Sequence, residues 1–192
     1  MRKPYAVLAV GCLTLGLMAA LGSAQGDKAS RPSPAAKASC ALADGKTITM
    51  DYSSPRAKGR KIYGGLVPYG QVWRAGANDA TTFVTTADVM VGGTHVPVGS
   101  YTIFAIPNQD KWTLIISKKT GEPGIPYPGE KEDFARVEMK VEQLSQIVDP
   151  FTITLEPPRP SQLLTLGVGG PTPARLCLAW EKTKACINLN AK

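Results

Sequence analysis

Apolar and polar side chains alternate with a period of two along much of this chain. In Lys46–Tyr52 (KTITMDY), Ile48, Met50 and Tyr52 interleave with Thr47, Thr49 and Asp51, which gives an extended segment one buried and one wet face. Trp112, Leu114 and Ile116 alternate with Thr113 and Ile115, and Val137, Met139 and Val141 with Arg136, Glu138 and Lys140. Asp88–Val91 and Thr94–Val96 flank Gly92-Gly93, a two-residue hairpin signal because both turn positions accept positive φ. Tyr101–Ile106, Phe151–Glu156, Gln162–Val168, Leu176–Trp180 and Ala185–Leu189 complete the predicted strands. Turn chemistry such as Pro97-Val98-Gly99 and Pro107-Asn108-Gln109-Asp110 separates them. Only Lys131–Ala135 and Val141–Ile147 have room for a helical turn. The expected fold is all-β, an antiparallel β-sandwich or barrel-like domain of about ten short strands.

The N-terminal region departs from this pattern. Arg2 and Lys3 precede an apolar run over Ala6–Leu21, and Gly22-Ser23-Ala24 offers small residues for cleavage, so residues 1–24 read as a secretory signal peptide. Gly11 and Gly16 interrupt the run, which is also short of the roughly 20 residues that span a bilayer. The expected location is therefore secreted or periplasmic, with no membrane span in the mature chain. Residues 25–39 (QGDKASRPSPAAKAS) carry no apolar period and read as a disordered linker. Residues 40–192 are expected to form a single β domain.

The 192 residues carry a formal net charge of +7, not concentrated in a Lys/Arg run long enough to suggest nucleic-acid binding. This mild excess suits contact with anionic envelope polymers, or solubility alone. Of four cysteines, Cys12 belongs to the leader. Cys177 and Cys186 flank LAWEKTKA. In a hairpin centred on Glu181-Lys182 they face one another, which predicts a disulfide in an oxidising compartment. Cys40 is left over, as a free or mispaired thiol. The spacing matches neither a thioredoxin motif nor a zinc cluster, and no metal or cofactor is expected.

Candidate chemistry concentrates in Arg60–Thr82 (RKIYGGLVPYGQVWRAGANDATT), where glycines, aromatics and cations crowd together without a helical period. Arg56, Lys58, Arg60, Lys61 and Arg74 are close enough to converge with backbone N–H groups on a carboxylate, sulfate or phosphate. Tyr63, Tyr69 and Trp73 interleave with them, the mixture that stacks on sugar faces while polar groups address hydroxyls. The competing reading has Arg74 pair with Asp79 or Asp51 to brace the loop. Trp112 and Trp180 follow strand periods and are expected in the core. His95 is the one histidine; beside a glycine turn and without an assigned partner it reads as incidental. No GxSxG, HExxH or phosphate-binding glycine loop is present. Asp51, Asp79 and Asp88 are the candidates for a carboxylate pair, and Asn78-Asp79 lacks the acidic ladder of a calcium loop.

Taken together, Asp51-Tyr52-Ser53-Ser54-Pro55, Lys58 through Gly70, Val72-Trp73-Arg74-Ala75-Gly76-Ala77-Asn78-Asp79-Ala80-Thr81, Val96 through Thr102, Ile106-Pro107, Trp112 through Ile115 and Trp180 through Thr183 resemble a bacterial secreted family designated domain of unknown function 2911. The likeness covers most of residues 46–187. It implies a mainly β, secreted or periplasmic domain whose hallmark is the loop from Trp73-Arg74 to Thr81, and it implies no activity. The chain departs from the family pattern in Asp79, where Glu is usual, and in the Gly/Pro-rich insertion over residues 167–173.

The leading expectation is a non-catalytic binding domain. Its ligand-facing set is Ser53, Arg56, Lys58, Arg60, Trp73, Arg74, Asn78, Asp79 and Thr81, and its partner a polar or anionic envelope or extracellular ligand such as a glycan. Arg74 would hold the anion and Trp73 the apolar face. The alternatives are a hydrolase using Asp79 with Asp51 or a bound metal ion, and a structural or interaction domain with the loop as a folding clasp.

Overall fold

The structure is a computed structural model that describes residues 31–42, 45–156 and 174–191. The expected signal peptide, residues 25–30 of the expected linker and the strand expected over Gln162–Val168 lie outside the described residues.

The described residues form nine strands: β1 (Ala35–Ala41), β2 (Thr47–Ser53), β3 (Thr81–Thr85), β4 (Val89–Val91), β5 (Thr94–Val96), β6 (Gly99–Ile106), β7 (Lys111–Ser117), β8 (Asp133–Glu156) and β9 (Ala174–Ala191). They make one antiparallel sheet in the order β1-β2-β3-β6-β7-β8-β9-β4-β5. The all-β antiparallel expectation holds, with two strands much longer than expected. Alternation does what it predicts in β2, where Ile48, Met50 and Tyr52 are buried. Gly92 and Gly93, at φ 57° and 88°, turn β4 into β5 through left-handed backbone that glycine adopts without strain.

Chain connections show that this sheet is curled. Five ladder steps separate β3 from β4, about 24 Å across a flat sheet. Only residues 86–88 join them, a link that reaches about 13 Å at full extension. The sheet therefore rolls around its main core without closing into a barrel, and a smaller cluster of Ala80, Phe104 and Ile115 is buried separately. The main core includes Phe83, Ile103, Leu114, Met139, Leu178 and Trp180, all nearly inaccessible.

The two segments expected as separate strands of a hairpin, Leu176–Trp180 and Ala185–Leu189, are halves of β9. Each half bonds to a neighbouring strand: Cys177 is opposite Thr154 and Cys186 opposite Lys140, both on β8. Nine residues of straight strand cover about 30 Å, yet the Cα atoms of Cys177 and Cys186 are 4.2 Å apart. The β8–β9 ribbon thus doubles back on itself near Glu181, whose φ is 53°. The expected disulfide forms, but across this fold rather than across a free hairpin. Val141–Ile147 is strand, and a 3-10 turn occupies Glu130–Glu132.

β1 includes Ala35–Ser39, residues expected within the linker. Ala36, Ala38 and Cys40 pack against the core and Ala38 is opposite Met50. Alanine contributes little to a hydrophobic pattern, so the ladder with β2 supplies what the sequence signal lacks. Cys40 is a free, half-buried thiol.

Candidate functional site

The site grows from a difference in strand length. β3 pairs with β6 as far as Thr81 opposite Ile103, leaving one side of Ala105 open. Trp73 takes it, exchanging two backbone N–H···O bonds of 2.8 Å with Ala105. Gly70 N–H donates to the Pro107 carbonyl at 2.9 Å. These bonds lay the long β2–β3 connection across one end of the curled sheet.

The Trp73 ring enters an aromatic cluster. Its centroid lies 6.5 Å from Tyr63, 6.3 Å from Trp112, 5.0 Å from Phe151 and 6.2 Å from Trp180. Its Nε1–H donates to the Gly76 carbonyl at 3.1 Å. Phe151 and Trp180 come from the folded-back part of the ribbon. Asp149 holds that part down: Oδ1 accepts from Trp180 Nε1 at 3.1 Å and from the Ala57 N–H at 2.9 Å. Burial, with the nearby Glu181 and Tyr69 adding, raises the Tyr63 phenol well above its ordinary range. Tyr63 Oη and Trp112 Nε1 are buried without a hydrogen-bond partner among the described residues.

Beside this cluster opens a cleft of about 530 Å³, within the size range of small-molecule sites, roughly 300–1,000 Å³. Leu66, Pro68 and Val72 line it from the β2–β3 connection, Ile125 and Tyr127 from the loop before β8, and Trp73 and Trp180 from the cluster. Its charged lining residues are Arg60 and Arg74, with no Asp or Glu among them.

Arg74 is half-buried, with its stem against Gly124. A Cβ on Gly124 would stand 2.8 Å from Arg74 Cδ, and the φ of that glycine is +86°. Among the described residues no carboxylate pairs with Arg74. The bracing partners expected for it are engaged elsewhere, Asp79 with Arg31 at 3.4 Å and Asp51 with Lys37 at 3.4 Å. Arg60 donates from Nε to the Ala57 carbonyl at 2.9 Å and from Nη2 to the Arg56 carbonyl at 2.8 Å, which aims the guanidinium with its remaining N–H groups unassigned. Tyr127 closes the far wall, its ring 5.1 Å from Phe104 and its hydroxyl donating to Asp133 at 2.6 Å. Burial and that bond raise its phenol pKa.

Of the expected ligand-facing residues, only Arg60, Trp73 and Arg74 line this cleft. Asn78 Nδ2 donates to the Ser33 carbonyl at 2.9 Å and to Ser53 Oγ at 3.1 Å. Thr81 is fully buried and donates to the Ala75 carbonyl at 2.8 Å. Ser53, Asn78 and Thr81 are thus placed to hold the loop rather than to face the cleft. Arg56 and Lys58 are exposed on the bend before Arg60. Asp51, Ser53 and Asp79 line a separate cavity of about 170 Å³. Among the described residues no group of three His, Cys, Asp or Glu is arranged to hold a metal ion. His95 has a partner after all, Asp88 at 3.0 Å.

Backbone strain marks the same region. Lys58, Ala75, Asn78 and Glu181 are the described non-glycine residues with positive φ, from 51° to 56°. Ala75, Asn78 and Glu181 each adjoin a cleft residue, and Lys58 is two positions from Arg60. Left-handed backbone costs an L-residue about 1–2 kcal/mol, and such strain gathers where surrounding structure enforces a functional shape. Sequence reasoning missed Ile125, Tyr127 and the second role of Trp180. Apolar and aromatic residues inside a Gly/Pro-rich loop were the available signal for the first two.

The fold and cleft define a curled, single-sheet antiparallel β domain with a cationic, aromatic-flanked cavity. Over residues 33–189 the chain matches the family described as "protein of unknown function (DUF2911)", and it belongs to that family. No curated protein and no solved structure matches it. Among the described residues no helix is long and apolar enough to cross a membrane.

Proposed function

We propose that this protein is a secreted or periplasmic binding domain that takes an anionic ligand, a glycan or another carboxylate, sulfate or phosphate compound, into the cleft beside Trp73. One observation carries the reading: Arg74 lies in a cleft with no acidic lining residue and has no carboxylate partner among the described residues. A half-buried guanidinium without an internal counter-charge favours an incoming anion, and its planar fork suits a bidentate oxyanion. The Cys177–Cys186 disulfide supports an oxidising compartment, in keeping with the leader-like residues 1–24.

A thermal-shift screen of anionic sugars, phosphates and carboxylates against wild type and Arg74→Gln tests this. A ligand that raises the Tm of wild type and fails to raise that of an equally stable Arg74→Gln supports the reading. If Arg74→Gln responds like wild type, or melts far lower with no ligand effect on either protein, the loop is a clasp and the reading fails.

A further inference from the structure

Resting on the reading of this cleft as an anion site, we infer that its ligand is an amphiphilic anion, a carboxylate or similar head group on a hydrocarbon or aromatic body, rather than an anionic sugar. A hexuronate presents hydroxyls around its ring, and each hydroxyl buried without a partner carries a desolvation cost. Sites that read sugars therefore supply several Asp, Asn, Glu or His side chains around the ring.

This cleft has none of those types on its walls. Its neutral polar side chains are Ser33, Gln71 and Tyr127, and the Tyr127 hydroxyl already donates to Asp133 and accepts from Arg136 Nη2 at 3.1 Å. The remaining lining residues besides Arg60 and Arg74 are aliphatic, proline, aromatic or glycine. Leu66 and Ile125, on two different loops, line the cleft while 47 % and 65 % exposed. An apolar ligand body would cover both, with its head group at Arg74 and Arg60.

This cleft also differs from the polar groove elsewhere on the molecule. There Glu138, Lys140, Glu142 and Arg175 mix both signs of charge, and Arg175 is paired with Glu142 at 2.6 Å. Among the described residues, the cleft beside Trp73 sets cations against an apolar wall with no carboxylate on its lining.

Binding to the purified protein is followed by tryptophan fluorescence and calorimetry with four probes: dodecanoate, 2-naphthoate, trigalacturonate and decyltrimethylammonium. The variants are Arg74→Gln, which removes the cation, and Ile125→Glu, which places a carboxylate at a position already 65 % exposed, with an unchanged Tm required of both. Dodecanoate or naphthoate should bind saturably. Arg74→Gln should weaken that binding by about 10- to 100-fold, the range for losing one charge-assisted hydrogen-bonding group, and Ile125→Glu by at least about tenfold. Trigalacturonate should not bind.

Trigalacturonate binding that depends on Arg74, with no binding of dodecanoate or naphthoate, overturns the amphiphile inference and leaves the anion site standing. Equal binding of decyltrimethylammonium and dodecanoate, insensitive to Arg74→Gln, overturns both. Failure of every probe to bind also overturns both.

Discussion

Trp73 and Trp180 lie nearly parallel, with ring planes 19° apart and centroids 6.2 Å apart, one on the β2–β3 connection and the other on the folded-back half of β9. The pair joins the loop that carries Arg74 to the ribbon that closes the cleft. Trp180 is also hydrogen-bonded to Asp149 and almost wholly buried. Trp180→Ala should cost about 3–5 kcal/mol, the range for truncating a large buried aromatic. Trp180→Phe, which keeps much of the area but loses the Nε1–H donor, should cost about 1–3 kcal/mol. Urea unfolding of both variants checks the ranking.

Reduction or paired Cys177→Ala and Cys186→Ala substitution should destabilise the protein by about 2–3 kcal/mol, because the bond closes a loop of about ten residues in the unfolded chain. The measurement is the denaturation midpoint with and without reductant. A midpoint that does not move would mean that the ribbon keeps its bend through packing alone.

Glu181 tests the strain directly. With φ at 53°, Glu181→Gly relieves left-handed backbone and should leave stability unchanged or raise it by up to about 1 kcal/mol, since the gain of about 1–2 is offset by the greater freedom of glycine when unfolded. Glu181→Val should lose about 1–2 kcal/mol, because a branched Cβ fits that region worst. Thermal melts of the two variants should shift in opposite directions or leave only the valine variant lower.

Gly124→Ala should damage the cleft and the fold together. The new methyl meets Arg74 Cδ at 2.8 Å and Ala80 Cβ at 3.2 Å, at a φ where alanine is strained, for a loss of about 1–3 kcal/mol. Because the clash moves Arg74, anion affinity should fall with it, read by the same thermal-shift assay. Wild-type affinity in this variant would show that the Arg74 head group does not contact the ligand.

The acid limb of stability should report Glu156. Burial alone would raise its carboxyl pKa, but the Lys184 ammonium bonded to it, with Thr154 and Arg175 nearby, leaves the pKa below its ordinary value of 4.5. A depressed carboxyl contributes stability that is fully present above about pH 4.5 and is lost as pH falls through the lower folded value. Glu156→Gln should therefore be less stable than wild type at neutral pH, and the gap should narrow as pH drops through and below 4.5. A gap that stays constant from pH 7 to pH 3 would remove the pair from the account.

Most of the strand set was legible because period-two patterning is a local property. KTITMDY and KWTLIIS became β2 and β7, and Gly92-Gly93 turned β4 into β5, since each needs only neighbours to define its faces. Long-range geometry hid the rest. Nothing local in Asp133–Glu156 or Ala174–Ala191 shows that two expected pairs of short strands are one doubled ribbon, because register and bend arise from what each half packs against.

The sequence by itself determined the all-β antiparallel character, the Cys177–Cys186 pairing and the concentration of cations and aromatics around Arg60–Thr82, all of which follow from residue type and spacing. Tertiary structure alone decided that Asp79 and Asp51 pair with Arg31 and Lys37 and not with Arg74, that Ser53, Asn78 and Thr81 serve the loop, and that Ile125, Tyr127 and Trp180 complete the cleft. Partner choice for a charged side chain depends on which distant segments the rolled sheet brings within hydrogen-bonding reach, and that distance is set by the whole fold.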